Sequence, residues 1–524
     1  MSDHLLVIDA GTGSVRAVVF DVQGQQLGVG QEEWTHIAEP GVPGSMSFDT
    51  AVNWQRVIRC IGKALGEAGI SSDQVRAVSS TSMREAIVLY DAAGREIWAC
   101  ANVDSRAEAE VRELKAEADG LERTFYEESG QTFALGALPR MNWVRKHHPE
   151  IFERVRAVSM LNDWVTARLT GEIVVEPTNG GTSGLLSVTT RDWSDRLIAR
   201  AGLDRSLFPR VVEPGTVIGT IGALVAAETG LAAGTLVVAG GGDAQLGTIG
   251  LGVVRPGDAA VLGGTFWQQV INIPSGQVDP QMRVRINLSA IPGINNAECI
   301  SFFVGLSVRW FRDAFCAEEK RQAAAGGRDA YDLMEEQSAA VPPGAYGVIP
   351  IFSDAMDFSR WYHAAPSFLN LSLDPEKANK AVLFRAMQEN AAIVSQVNME
   401  RVREFAAADS SAPLVFAAGA SKGKLWPQIL ADVTGRQIRI PKIREATALG
   451  GAAAAAVGAG LYGDLIEAGD ALVRWEREVE PNSAHRAVYD DAKARWQAAY
   501  AVQKTLVDRR ITTPLWSAPG AMPD

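Results

Sequence analysis

Two glycine-bearing turns and a few charged residues are where this sequence could do chemistry. Asp9-Ala10-Gly11-Thr12-Gly13-Ser14 closes the apolar run Leu5–Ile8. Glycines let backbone N–H groups turn toward an anion, and threonine and serine hydroxyls add donors. A carboxylate at the strand end, Asp9, can hold Mg2+ directly or through water. An ordinary hairpin turn has the same residues. The device recurs about half a chain later, where Gly263-Gly264-Thr265 closes Ala259–Leu262. Two such turns on facing domains can grip a nucleoside triphosphate from both sides. Asp243 follows Gly240-Gly241-Gly242 at the end of another apolar run. It could cap a helix, or act as a general base on an attacking hydroxyl. Arg84-Glu85 and Asp104 offer charges of both signs to hydroxyl and carbonyl groups, or form plain surface ion pairs.

Other devices are missing. Gly419-Ala420-Ser421-Lys422-Gly423-Lys424 looks like a P-loop, but its spacing is short and Leu425 follows the lysine. No G-x-G-x-x-G follows Gly11, and no G-x-S-x-G supports a serine hydrolase. His147-His148 lies in a charged helical stretch and reads as solvated. The scattered tryptophans read as core. Four cysteines in 524 residues, Cys60, Cys100, Cys299 and Cys316, fit neither a metal site nor a disulfide scaffold, and suit a reducing compartment. A net charge of −12 argues against sequence-independent nucleic-acid binding and against anionic membrane surfaces. No signal peptide is visible at the N-terminus, and the longest bland apolar run, Gly450–Gly460, is too short to span a bilayer, so the expected location is cytoplasmic.

The elements that must position these residues follow from apolar patterning. With 47% hydrophobic and 21% charged residues, the chain has material for two cores. Strands are expected at 5–8, 15–20 and 26–31 as an antiparallel meander, then a helix over 50–68 and a strand over 75–80. Residues 107–148 read as helical, and 173–188 as β-structure broken at Asn179-Gly180-Gly181. A strand over 235–239 leads into a helix from Ala244. Strand, glycine turn and strand return at 259–273. Leu383, Met387, Ala391 and Val394 share one face of a long helix; a strand over 414–418 and a helix over 425–433 follow. The repeat suggests two similar domains, 1–250 and 251–524, with the boundary between Gly247 and Arg255.

Taken together, the motifs resemble the FGGY carbohydrate kinase family, of the actin-like ATPase superfamily, over nearly the whole chain. The resemblance rests on six matches in order. Asp9–Gly13 and Leu262–Thr265 resemble its two phosphate motifs. Ser82-Met83-Arg84-Glu85 and Ala101–Arg106 resemble its sugar-site segments. Gly241-Gly242-Asp243 resembles its catalytic-base motif, and Ala418–Asp432 with Glu445–Gly450 its C-terminal signature. It implies an α/β fold of two actin-like/ribonuclease H-like domains. Each would have a mixed five-stranded sheet flanked by helices, with an interdomain cleft between them. It implies transfer of phosphate from ATP to a hydroxyl of a small sugar-like molecule. Asp243 would be the base; Arg84, Glu85, Asp104 and Asp243 would bind substrate. Thr12, Gly13, Ser14, Gly264, Thr265, Gly419 and Ala420 would bind ATP, and Asp9 and Asp243 Mg2+. A contact with the phosphocarrier protein of the sugar phosphotransferase system is implied by resemblance alone. A pentulose or polyol kinase is the alternative within the family; a non-catalytic actin-like nucleotide clamp is the remote one. Two departures stand out. Ala418 and Ala420 flank Gly419 where the family has consecutive glycines, and an added methyl there crowds the adenosine or shifts the backbone. Asn102 and Val103 precede Asp104 where many sugar kinases have an aromatic, which fits a substrate other than a common polyol or ketose.

Overall fold

β1 (His4–Ala10), β2 (Ser14–Asp21) and β3 (Gln26–Glu33) form the expected antiparallel meander, and the helix Thr50–Ala68 follows it. The structure, a computed structural model, describes residues 3–117, 120–134, 136–301, 303–407, 411–442 and 445–521. β4 (Val75–Ser82) returns parallel to β1. Beyond it, β5 (Ile87–Tyr90), β6 (Glu96–Cys100) and β7 (Ala157–Met160) make a small antiparallel sheet. β8 (Val217–Thr220) and β9 (Leu236–Gly242) complete the first large sheet, in the order β3-β2-β1-β4-β9-β8.

The same plan returns in the second half. β10 (Ala259–Gly263), β11 (Trp267–Pro274), β12 (Arg285–Leu288) and β13 (Ile294–Ile300) are antiparallel neighbours. β14 (Ile349–Ile351) and β15 (Ser367–Leu369) form a separate ribbon. β16 (Leu414–Ala417) and β17 (Ile438–Pro441) lie parallel to β10, and β18 (Trp475–Val479) closes the edge. The order is β12-β13-β11-β10-β16-β17-β18. Its centre, β13-β11-β10-β16-β17, repeats β3-β2-β1-β4-β9.

Sheets of six and seven strands replace the expected five in each half. The additions are all edge strands. β8 and β12 are only four residues long, and β18 is charged and largely exposed, so each is too short or too polar to stand out as a strand in the sequence. Residues 173–188 depart further from expectation. They hold a helical turn, Pro177–Gly180, and a 3-10 turn, Gly181–Ser183, instead of strands. The Glu176 carboxylate accepts the backbone N–H groups of Thr178 and Asn179 and caps that turn.

The two halves join through a helix crossing. Asp243–Gly250 lies against Ala446–Gly458, a helix of alanine and glycine that packs on the first sheet with Leu5, Val7, Val18 and Val238. The approach is close: a Cβ at Gly250 would come 1.9 Å from the Ala446 carbonyl oxygen, and one at Gly450 1.8 Å from that of Leu246. We propose 1–250 and 251–524 as the two domains, because each large sheet draws all its strands from one half; Ala446–Gly458 is then a helix of the second laid on the first. Among the described residues no helix is long and apolar enough to cross a membrane. All four cysteines are buried and free.

Candidate active site

The parallel strands β1, β4 and β9 end side by side, and their carboxyl ends carry Asp9, the segment Met83–Glu85, and Asp243. β10 and β16 end opposite them with Gly263–Thr265 and Ala418–Ala420. Two adjoining cavities occupy the cleft between these strand ends.

The first, of about 480 Å³, is lined by Thr12, Arg84, Glu85, Asn102, Asp243, Phe266, Gln268, Arg285, Trp361, Ala418 and Glu445. Asp243 opens its helix, with 41% of its side chain reachable from the cleft. Its carboxylate accepts the Ala244 N–H at 2.7 Å and lies 3.6 Å from Arg84 Nε. Burial pushes this carboxyl up; Arg84 pulls it down, Glu85 and Asp9 push it further up, and the balance is about 6. A carboxylate near neutrality, ionised but still basic, suits proton abstraction from a hydroxyl.

Arg84 and Glu85 are tied to the opposite half. Arg84 donates through both Nη atoms to Glu298 at 2.5 and 3.0 Å. Arg285 Nη2 stands 2.6 Å from Glu85 Oε1. Arg285 and Glu298 are themselves cross-strand neighbours on β12 and β13. The four charges form a crossed quartet at the cavity floor, almost wholly withdrawn from solvent. Burial alone would raise the Glu298 carboxyl, but the Arg84 guanidinium outweighs it and holds it below the usual range. Glu85 adopts φ +64°, a strained angle for a residue with a side chain. Arg140 holds that backbone by donating to the Glu85 carbonyl, and to those of Asn102 and Asp104 at 2.7 and 3.0 Å.

Asp104 requires a correction. Its carboxylate faces away from this cavity, buried, accepting the Met46 N–H at 2.6 Å and pairing with Arg106 at 2.7 Å. Those bonds consume its oxygens; Asn102, two residues earlier, reaches the cavity and donates to Thr12 Oγ1 at 3.1 Å. Arg285, Glu298, Gln268 and Trp361 were not foreseen. Arg285 and Glu298 carry only a weak signal, as charges on alternating strand positions beside asparagines.

Asp9 is buried and pairs with Arg16 at 2.6 Å; Arg16 also binds Glu445. Burial raises the Asp9 carboxyl, Arg16 opposes that, and Glu445 adds to it. Asp9 also raises the proton affinity of Asp243, a tension that a hard dication would relieve. No cluster of three or more His, Cys, Asp or Glu at metal-holding geometry occurs among the described residues. Two carboxylates suit Mg2+, which keeps waters and phosphate oxygens in its shell. In the β1–β2 turn the Gly11, Thr12 and Gly13 carbonyls bond Trp34 Nε1, His36 Nε2 and Trp34 N at 3.0, 2.7 and 3.1 Å. Ser14 starts β2 outside the cavity lining, its hydroxyl accepting from Gln31 at 3.4 Å.

The second cavity, of about 660 Å³, is lined by Gly263, Gly264, Thr265, Trp267, Tyr331, Glu335, Gly419, Ala420 and Trp426. Trp267 and Trp426 stack at 5.1 Å. Glu335 accepts the Lys424 and Leu425 N–H groups at 2.6 and 2.7 Å, capping the helix Leu425–Thr434. Ala418, at the junction of the two cavities, has φ +74° and ψ −162°, a conformation that glycine alone adopts without strain.

Comparison with known proteins agrees with this geometry. Residues 4–250 match the N-terminal domain, and 297–459 the C-terminal domain, of the FGGY family of carbohydrate kinases. The chain is 56% identical over 519 residues to an autoinducer-2 kinase of Yersinia enterocolitica, covering 99% of this chain and 98% of that one. It is likewise 56% identical over 518 residues to an autoinducer-2 kinase of Salmonella typhimurium, with the same coverage. A solved xylulose kinase from Rhodospirillum rubrum superposes with a TM-score of 0.84 at 24% identity, covering 96% of this chain and 99% of that one. A Plasmodium falciparum glycerol kinase with ADP gives 0.79 at 18%, covering 96% and 98%. At such identities these two structures speak for the fold.

Proposed function

This chain belongs to the FGGY family of carbohydrate kinases, and from that premise we propose that it is a cytoplasmic enzyme that phosphorylates autoinducer-2, linear 4,5-dihydroxy-2,3-pentanedione, at its terminal hydroxyl with ATP. The substrate reading rests on the name shared by full-length relatives at 56% identity. Stretches such as Trp98–Asp104, Val261–Gln269, Trp310–Cys316 and Trp361–Phe368 are those expected of such kinases. The product would be trapped in the cell, where it would relieve a quorum-sensing repressor and so control signalling.

The observation that carries the chemistry is Asp243: a carboxylate held near pH 6, beside Arg84, open to the cleft where three parallel strands end. The substrate hydroxyl oxygen attacks the γ-phosphorus of ATP. Its O–P bond forms as the bridging bond to the β-phosphate breaks, ADP leaves, and the proton passes to Asp243. Arg84 and Glu85 orient the substrate's oxygens, with Asn102 in the place expected of Asp104. Thr12, Gly13, Gly264 and Thr265 face the phosphates, Ser14 supports the first of those turns from outside the cavity, and Gly419 and Ala420 face the adenosine. Asp9 and Asp243 would hold Mg2+, which would supply neutralisation of the phosphate charge. Closure of the cleft excludes water from the transfer. By resemblance we also assign a contact with the phosphocarrier protein of the sugar phosphotransferase system.

The test is ADP release with Mg-ATP and dihydroxypentanedione, xylulose, ribulose or glycerol. A clear preference for the dione is expected. Preference for a pentulose or glycerol would overturn the signalling role and leave the kinase.

A further inference from the structure

Beneath the site lies a buried polar cluster that the chemistry above does not use. It is built on residues 173–188, where a helical turn stands in place of the expected strands. Glu176, Thr178 and Asn179 are all fully buried. Glu176 Oε2 accepts the Thr178 N–H and the Thr178 hydroxyl, each at 2.7 Å; Oε1 accepts the Asn179 N–H at 2.6 Å. These neighbours are all donors, which the ionised form of Glu176 satisfies on both oxygens.

The cluster reaches both working strands. The Gly242 N–H, immediately before Asp243, donates to Thr178 Oγ1 at 2.8 Å. A threonine hydroxyl has a single proton, here given to Glu176, so its oxygen is left to accept. The direction is therefore set: Gly242 N–H to Thr178 hydroxyl to Glu176 carboxylate. Asn179 Nδ2 donates to Ser82 Oγ at 3.0 Å and to Asn162 Oδ1 at 2.8 Å, gripping β4 just before Arg84. The glycines leave room for this contact, since a Cβ at Gly241 would come 2.7 Å from Thr178 Oγ1.

We propose that Thr178, oriented by Glu176, is a positioning residue for phosphoryl transfer: its hydroxyl fixes the Gly242–Asp243 peptide, and hence the base, while Asn179 holds the Arg84 segment in register. The proposal rests on the assignment of Asp243 as base. Without the hydroxyl, the buried Gly242 N–H loses its acceptor and the turn must shift to recover one. A displacement of about 1 Å at a reacting group can lower turnover about 10²-fold.

The experiment measures kcat, both KM values and Tm for Thr178→Val, Thr178→Ser and Asp243→Asn. Thr178→Val keeps the shape and is expected to lower kcat about 10- to 100-fold with the KM for ATP within about twofold. Thr178→Ser, which keeps the hydroxyl, is expected to recover most of that loss. If Thr178→Val does not fold, Thr178→Ala carries the same expectation. A kcat for Thr178→Val within twofold of the parent's overturns the proposal. So does a serine variant as impaired as the valine one, which would make the methyl group's packing the cause. Asp243→Asn separates the two levels. Near-parental turnover there overturns the base assignment and the positioning role together. A crippled Asp243→Asn beside an intact Thr178→Val overturns the positioning role alone.

Discussion

The hairpins β1–β2 and β10–β11 occupy equivalent places in the two halves, yet they are chemically unlike. The last strand pair is Ala10–Val15 in one and Gly263–Trp267 in the other. One step back, the first has the ion pair Asp9–Arg16 where the second has Leu262 and Gln268. The next parallel strand repeats the contrast: β4 runs out into Arg84-Glu85, β16 into Ala418-Gly419-Ala420. One backbone plan supplies a glycine turn twice. The first half added charge and faces the reacting groups; the second added small and aromatic residues and faces the cavity floored by Trp267 and Trp426. Substitutions at the first half's strand ends, and at the second-half residues that pair with them across the cleft, should then act on turnover and substrate, and those at the second half's own strand ends on nucleotide binding.

The largest effect that tests this division is at Asp9. Asp9→Asn is expected to lower kcat on the order of 10² and to raise the Mg2+ concentration needed for half-maximal rate. Steady-state rates across a Mg2+ titration check it, and a parental Mg2+ dependence would break the division. Next comes the crossed quartet. Glu298→Gln removes the anion that both Arg84 Nη atoms bind and is expected to raise the substrate KM about tenfold while the KM for ATP stays put. Removing one partner of so buried a pair should also cost about 3 kcal/mol of stability, measurable by denaturant titration. An altered ATP KM would blur the comparison.

Ala418→Gly probes the second half. Glycine relieves a φ/ψ that alanine adopts at a cost of about 1–3 kcal/mol, partly offset by glycine's freedom in the unfolded chain. A net gain of about 1 kcal/mol is expected, with a KM for ATP lowered a few-fold and kcat unchanged. A changed kcat at constant ATP KM would put Ala418 on the chemical side.

The smallest effect is on stability against pH. Asp163 and Glu176 lie together below the first sheet's strand ends. Burial pushes the Glu176 carboxyl up to about 7, and burial together with Glu176 pushes Asp163 well above its ordinary value. The native state then binds protons that the unfolded chain has released, so this contribution is full at low pH. It is lost as pH rises from an ordinary 4.5 through about 7. Asp163→Asn should flatten the Tm profile over that window by the equivalent of about 1 kcal/mol. An unchanged profile would contradict the buried pair.

Much of this was legible in the sequence, because a buried parallel strand ending in glycine is a strong local signal. β1, β9, β10 and β16, with the residues at their ends, could be placed from apolar runs that close on glycine, and β4 from the apolar residues at its start, since it ends in serine and threonine. The chain over 173–188 could not, since its form depends on a carboxylate capping the turn beside it, and the valines that suggested strands pack without pairing into a sheet. Asp104 was misplaced for a related reason. A motif marks a loop, and only the fold decides that Arg106 and the Met46 N–H claim the carboxylate while Asn102 takes the open side. Arg285 and Glu298 escaped notice because their meaning lies in partners some 200 residues away.

The most direct test of the central claim is the turnover of Asp243→Asn set beside its affinity for ATP by calorimetric titration. Turnover lower by about 10²–10⁴, with ATP bound as tightly as by the parent, is the expected result. Turnover within a few-fold of the parent's would contradict it and remove Asp243 as the base.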